Sequence, residues 1–230
     1  MTITFTVPDE ILKESFDEFL SPVMKDRPRW LSLLPSRRSI RSCPAFTWLF
    51  KDSIIVRLPC DLMIIKDGEN FRIDSMNPKV MNVYSHDLTA QLSEEHSKDF
   101  INVKISPLIS FQASKPVKAV QMTAFNYTVQ HESLFRSVEG VFPFIKEATQ
   151  LNINTFFRTS ELIKMSQGLR EEESVLLPAG TPLCLLYFPS GIPKYKVKVG
   201  DITKSDVFYR YRSFKSGIAR IYYEAFKNDK

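Results

Sequence analysis

The amino-acid sequence predicts a mainly β protein: a single antiparallel β-sandwich of the jelly-roll kind, with a short N-terminal helix and an amphipathic C-terminal helix. Three observations predict this class. About ten short apolar runs recur at spacings of roughly 8 to 15 residues, and no helices alternate with them, which is typical of antiparallel sandwiches. The chain has 18 Phe and 14 Pro but 7 Gly, a composition that suits short strands joined by irregular loops. Its 230 residues fit one large all-β domain.

The pattern divides the chain into a lead-in, residues 1–50, a sandwich, residues 51–200, and a C-terminal helix, residues 201–230. The lead-in is expected to pack on the sandwich. Its first helix is predicted over Pro8–Phe19, because proline suits a first helical turn and the two acids that follow it suit the positive end of the helix dipole. A second short helix is predicted over Pro44–Phe50.

Strands are predicted from Ile54 onward. Asp67-Gly68 lies between two β-branched or aromatic runs and is a strong hairpin signal. Ile101, Val103 and Ile105 alternate with polar residues, as a half-buried strand requires.

The stretch from 171 to 191, EEESVLLPAGTPLCLLYFPSG, contains two apolar runs separated by Pro178 and Gly180. We interpret the runs as consecutive strands near the centre of the sandwich, with the chain bent or bulged between them. The three preceding acids, Glu171 to Glu173, are interpreted as a solvated loop.

The last segment predicts an amphipathic helix because its apolar residues recur at intervals of three and four. Such a stripe needs a covering surface, so the helix is expected to bind a partner or another copy of the chain. The residues assigned to this contact are Val207, Tyr211, Phe214, Ile218 and Ile221.

The net charge of +5 is concentrated late in the chain, where residues 194–230 hold ten Lys or Arg and four Asp or Glu. Basic side chains interleaved with aromatic ones can bind nucleic acid, although the aromatics here fall mainly on the apolar stripe. The residues that could contact an anionic partner are Arg37, Arg38, Arg210, Arg212 and Arg220.

Catalytic and metal-binding patterns are thin. The histidines, His86, His96 and His131, lack the His-x-Asp/Glu spacing of facial iron sites. The sequence contains no GxSxG and no phosphate-binding GxxxxGK[ST] loop. The three cysteines have no CxxC spacing and are interpreted as buried, reduced thiols, with Cys43 a small buried residue before Pro44. We expect no metal and no cofactor.

No apolar run approaches the roughly 20 residues of a membrane span, and the first residues lack the pattern of a signal peptide. The sequence therefore predicts no membrane association.

The order of several motifs resembles a family of uncharacterised proteins from tailed bacteriophages. Members show a Trp followed by a Pro, a Cys-Pro-Phe-like motif, a strand with an Asp and a late Gly-Thr-Pro-Leu motif, and they tend to end in a basic, aromatic tail. The likeness runs over most of the chain. It implies a phage protein, located in a virion or in the cytoplasm of the host cell, without implying an activity. The matching positions are Trp30, Pro35, Cys43, Pro44, Phe46, Asp61, Asn154, Gly180, Thr181, Pro182 and Leu183.

The late strands are also distantly similar to the last strands of the dUTPase and dCTP deaminase fold. In that fold an Asp follows a Gly-Val or Gly-Ile turn, but Phe142 takes its place after Gly140-Val141, and no Tyr-Arg-Gly-Glu motif follows. The likeness implies a compact β-sandwich with a structural turn at Gly180, without the nucleotide chemistry.

These patterns favour a non-enzymatic phage protein that works by protein–protein contact, as a virion structural or assembly component. Two alternatives stay open: an enzyme or small-molecule (nucleotide) binder that uses the sandwich cavity, and a nucleic-acid-binding accessory protein.

Overall fold

The computed structural model describes residues 1–25, 42–68, 70–85, 99–124, 134–146, 148–167 and 174–202. These ranges form sixteen strands and four short helices, so the predicted mainly β fold is confirmed. The helices are α1 (Glu10–Glu14), α2 (Phe16–Phe19), α3 (Pro44–Lys51) and α4 (Thr159–Met165). The strands are β1 (Thr2–Val7), β2 (Leu20–Pro22), β3 (Ser53–Arg57), β4 (Leu62–Asp67), β5 (Asn70–Ser75), β6 (Met81–Ser85), β7 (Phe100–Pro107), β8 (Ser110–Ala113), β9 (Val117–Thr123), β10 (Phe135–Ser137), β11 (Gly140–Phe144), β12 (Thr149–Gln150), β13 (Ile153–Arg158), β14 (Ser174–Leu177), β15 (Pro182–Tyr187) and β16 (Lys194–Val199).

The strands form four sheets. Sheet I has the order β12-β8-β1-β16, sheet II β11-β9-β15-β3-β2, sheet III β10-β13-β7-β6 and sheet IV β14-β4-β5. Among the described strands, β1 and β16 pair in parallel and the other pairs are antiparallel. This is the sandwich-like arrangement that the strand spacing predicted.

An aromatic cluster joins sheets I and II. The Phe144 ring, on β11 of sheet II, is fully buried and lies 6.5 Å from the ring of Phe5 on β1 and 4.8 Å from that of Phe111 on β8, both in sheet I. Phe188, just after β15, contributes a further ring 5.5 Å from Phe144. Phe142 lies 5.2 Å from Phe144 and completes what we call the Phe cluster. The high Phe content therefore has a structural use, since large rings fill the space between the two sheets.

The first strand, β1, was not predicted, although its sequence alternates Thr with Ile3, Phe5 and Val7. All three apolar side chains are buried, and β1 lies between β8 and β16 inside sheet I. The described part of residues 1–50 thus contributes two strands, β1 and β2, to the sheets.

The predicted N-terminal helix is present, but it is shorter than predicted and is broken into α1 and α2. Asp9 caps α1 by accepting a hydrogen bond from the Leu12 amide at 2.8 Å, and the chain leaves helical geometry at Ser15 before α2. Phe16 is buried, whereas Ile11, five residues earlier, is 79% exposed. The break at Ser15 changes the direction of the buried face, so a single helical stripe does not describe the segment.

The hairpin prediction is confirmed. β4 and β5 are antiparallel neighbours, and Asp67 pairs with Asn70 across the turn. Gly68 has a φ of +60°, a conformation that favours glycine over residues with a side chain.

The two runs around Pro178 form consecutive strands, as predicted, but β14 does not lie near the centre of the sandwich, which corrects that part of the prediction. β14 is an edge strand of sheet IV, where Leu176 is 50% exposed. β15 lies inside sheet II between β9 and β3 and is buried on both faces. The apolar run of β14 was misleading because its alternate side chains reach solvent. The chain turns between the two strands, as predicted, with Gly180 at a φ of +81°. A register shift between β15 and β3 follows between Pro182 and Cys184.

A partly buried phenol ties α2 to sheet I. Tyr195 on β16 lies against Phe16, with ring centroids 6.3 Å apart, and its hydroxyl donates to Asp17 Oδ1 at 3.3 Å. Burial, and then the neighbouring Asp17 carboxylate, raises the pKa of Tyr195 to about 12. Both effects disfavour the phenolate in the folded protein.

We expect the Phe144→Ala variant to lose about 3–5 kcal/mol of unfolding free energy, the usual result of emptying a fully buried Phe site. Phe156→Ala is the control, because this half-buried ring contacts Phe100 away from the Phe cluster. Its loss should be about 1 kcal/mol. Urea denaturation measures both, and equal losses would contradict the central place of Phe144.

Tyr195 should also make stability depend on alkaline pH. An unfolded tyrosine ionises near pH 10. Because the folded pKa is higher, the contribution of Tyr195 is complete below pH 10 and is lost as the pH rises toward 12. Unfolding free energies of the wild type and of Tyr195→Phe should therefore converge over that interval. Curves that stay parallel would show that Tyr195 titrates normally.

A candidate apolar binding face

Many of the sequence-predicted site residues lie outside the described residues. These are the five of the C-terminal stripe (Val207, Tyr211, Phe214, Ile218, Ile221), the five arginines (Arg37, Arg38, Arg210, Arg212, Arg220), Trp30, and the histidines (His86, His96, His131). The motif residue Pro35 lies outside the described residues too. Of the remaining motif residues, Cys43, Pro44 and Phe46 lie at the start of α3, and Asn154 lies on β13. The others, Asp61, Gly180, Thr181, Pro182 and Leu183, lie around one turn and at the start of β15.

The Asp61 site is an anchored turn. Asp61 Oδ1 accepts a hydrogen bond of 2.7 Å from the amide of Ala179, and Gly180 has a φ of +81°. The turn is fixed to the end of β3, because the Gly180 amide donates to the Leu58 carbonyl at 2.8 Å and the Leu58 amide donates to the Thr181 carbonyl at 2.9 Å. The turn is therefore what separates β14 from β15 and sends them to different sheets.

The cysteines differ in environment, and the prediction that all three are buried is wrong. Cys43 is exposed, Cys60 is half-buried, and Cys184 is buried. Cys43 is exposed because it lies before the first turn of α3, away from the side of the helix that packs on sheet II. Burial raises the pKa of the Cys184 thiol, which leaves little of the reactive thiolate at neutral pH.

Helix α3, predicted over Pro44–Phe50, covers part of the outer face of sheet II. Pro44 stands in the first turn of α3. The backbone N–H groups of a first turn have no acceptor within the helix, so the missing N–H of proline costs no hydrogen bond there. Phe46 and Phe50 are four residues apart, so they share one side of the helix, and their rings meet edge to face at 4.3 Å. Phe50 is buried against the outward-facing side chains of sheet II, Ile55 and Leu185.

Beyond α3 the same face of sheet II stays apolar. Strand pairing places Met122 beside Leu185, Tyr187 beside Val120, and Val141 beside Val120. Val120, Met122 and Tyr187 are half-buried, and Val141 is 49% exposed. We call the surface formed by Val120, Met122, Val141, Leu185 and Tyr187 the apolar face.

A pocket of about 240 Å³ lies between α3 and the apolar face. Apolar side chains dominate its lining, while two polar groups at its border already have partners. Gln121 Nε2 donates to the Val138 carbonyl at 2.7 Å, and Thr123 Oγ1 donates to the Ser137 carbonyl at 3.3 Å. The lining residues are Phe46, Leu49, Phe50, Val120, Gln121, Met122, Thr123, Glu139 and Leu185. The pocket is thus suited to an apolar group.

Trp48 stands on the side of α3 that faces away from the sheet and is 65% exposed. Trp48 is two positions from both Phe46 and Phe50, so helical geometry places it on the opposite side of α3 from them. Exposed aromatic side chains are enriched at protein interfaces.

Among the described residues, no group of three or more His, Cys, Asp or Glu side chains is arranged to hold a metal ion. No helix in the described ranges is long and apolar enough to cross a membrane.

Comparison with known proteins gave no match to any family model, to any curated protein or to any solved structure. The phage resemblance and the likeness to the dUTPase fold stay predictions from the sequence.

We expect Asp61→Ala to lower the unfolding free energy by about 1–2 kcal/mol, because the Ala179 amide loses a charged acceptor. Asp61→Asn retains an acceptor oxygen and should lose less. Thermal and urea denaturation of both variants test the anchor. Equal losses for Asn and Ala would show that the hydrogen bond to Ala179 does not hold the turn.

Proposed function

We propose that this protein is a non-enzymatic component of a tailed bacteriophage and that it works through protein–protein contacts made by the apolar face. The observation that carries the contact is the exposed, apolar part of sheet II beside α3, with Val141 at its outer strand. The phage assignment is supported by the order of the sequence motifs. The partners proposed are other phage proteins or a second copy of the chain, in the virion or in the host cytoplasm.

The size of the pocket favours a protein partner over a small ligand. Pockets for drug-sized ligands have volumes of about 300–1,000 Å³. The pocket beside α3, at about 240 Å³, is below this range and suits one large side chain. Interfaces commonly depend on a few such anchors inserted into apolar pockets.

The exposure of Trp48 and Val141 also favours a protein partner. Large apolar side chains that remain in water lose the favourable free energy of burial, about 25 cal/mol for each Å². A partner that covers both α3 and β11 would recover it, and the aromatic residue would supply much of the contact area.

The alternative of a small-molecule binder rests on the same pocket. A small apolar compound could enter it, since its polar border groups are engaged by backbone carbonyls. The affinity of the pocket for a small molecule would not change when Val141 is substituted, because Val141 does not line the pocket.

The test is a phage that carries Val141→Asp in this gene, with Leu176→Asp as the control. Both residues are about equally exposed, at 49% and 50%, but Leu176 lies on sheet IV. Purified particles are analysed by quantitative mass spectrometry. We expect a fixed ratio to the major capsid protein for the wild type and the control, and a loss of about tenfold or more for Val141→Asp.

Thermal denaturation of the purified variants verifies that both fold. Equal incorporation of the two variants would contradict a contact through the apolar face. Absence of the wild-type protein from particles would contradict a virion role. In that case the size of its complexes in infected cells, compared between the same variants, tests an assembly role.

A further inference from the structure

Strand β16 carries a row of lysines on one side. Lys194, Lys196 and Lys198 are exposed, while Tyr195 and Val197 between them are half-buried against the core. Alternate residues of a strand lie about 6–7 Å apart on the same face, so the row extends over about 13 Å. β16 is the last strand of sheet I as described, which leaves this row at the border of the sheet.

The surface beside the row contains hydrogen-bonding groups and no acid. Strand pairing places Thr2, Thr4 and Thr6 of β1 directly beside the three lysines. Gln112 of β8 follows beside Thr4 and is exposed, while Ser110, beside Thr6, is buried. No residue that the strand pairing places on this face is a carboxylate. Asp201 follows the end of β16 by two residues, outside the paired part of the strand. Asp17 on α2 contacts the opposite side of the strand through Tyr195.

The three lysines of the row have no counter-charge among the described residues, a property that they share with Lys51, Lys66 and Lys79. None of them forms an ion pair or a side-chain hydrogen bond with a described residue. Lys13, by contrast, pairs with Glu10 at 2.9 Å. Like charges at a spacing below the Debye length of about 8 Å repel one another, so the row is unfavourable unless an anion neutralises it.

Lysines also discourage edge strands from aggregating, but that role does not account for the whole surface. A single lysine suffices to disturb edge pairing, whereas here three stand in line. They also begin the basic part of the chain, residues 194–230, with ten Lys or Arg and four Asp or Glu. A polyanion would match both the charge and the length of the row.

We propose that the face formed by Lys194, Lys196 and Lys198 with Thr2 and Thr4 binds the phosphodiester backbone of a nucleic acid. The ammonium groups neutralise successive phosphates, and the threonine hydroxyls donate hydrogen bonds to phosphate oxygens. Such contacts read no base edges, so the binding is independent of sequence and weakens with salt. This site is separate from the apolar face and does not depend on the function proposed for it.

The test uses the full chain and a triple variant, Lys194→Gln, Lys196→Gln and Lys198→Gln. The control triple, Lys51→Gln, Lys66→Gln and Lys79→Gln, removes the same charge from α3, β4 and the segment before β6. Fluorescence anisotropy measures binding to a labelled oligothymidylate of about 20 nucleotides and to a duplex of equal length. A salt series is recorded for each protein.

We expect the β16 triple to weaken oligothymidylate binding by at least about tenfold at low salt. The slope of log K against log salt should become shallower by about 2, since each single-strand phosphate contact contributes about 0.7. The control triple should change the slope by less than half as much. The duplex arm shows whether the row accepts a double-stranded backbone as well. Val141→Asp should leave both affinities unchanged, which separates this site from the apolar face.

Equal losses in the two triples would overturn the proposal, because the effect would then belong to net charge alone. Binding of the wild type to phosphatidylserine vesicles, lost in the β16 triple, with no binding to either oligonucleotide would overturn it too, and would assign the row to a lipid surface.

Discussion

The contact between the Phe144 ring and the rings of sheet I is the interaction on which the rest of the structure depends. It fixes which side of β11 faces inward, and strand alternation then determines everything on the outer side. With Phe142 and Phe144 in the core, Val141 must face outward beside Val120. With Phe5 in the core, Thr4 of β1 must face outward. The apolar face and the lysine row are therefore both consequences of one aromatic core.

The local elements of this fold could be predicted from the sequence, but their partners could not. The Asp67-Gly68 turn specifies a hairpin with its own two strands, and α3 follows from Pro44 and the Phe46–Phe50 spacing. The neighbours of β1 are different in kind. It pairs with β8 and with β16, which are more than 100 positions away, and no nearby residue indicates either partner. The alternation of Thr with Ile3, Phe5 and Val7 was nonetheless a strand signal that could have been recognised.

The candidate sites show a similar division. In β11, GVFPF, apolar residues occupy both alternating positions, so the sequence could not tell that Val141 faces solvent. The alternation of KYKVKV in β16 did distinguish the two sides, but not the acid-free row of threonines that lies beside it. At Pro178 the apolar runs indicated two strands correctly. Their separation into different sheets required Asp61, whose contact with Ala179 spans 118 positions.

Sheets I and II meet through the Phe cluster. A double-mutant cycle on Phe5 and Phe144 tests this contact most directly. Phe5→Leu, Phe144→Leu and the double variant are compared by urea denaturation. The structure, with the two rings at 6.5 Å and nearly perpendicular, predicts a coupling of about 0.5–1.5 kcal/mol. Additivity of the two losses to within about 0.3 kcal/mol would mean that the rings do not touch, and would contradict the packing from which both outer faces follow.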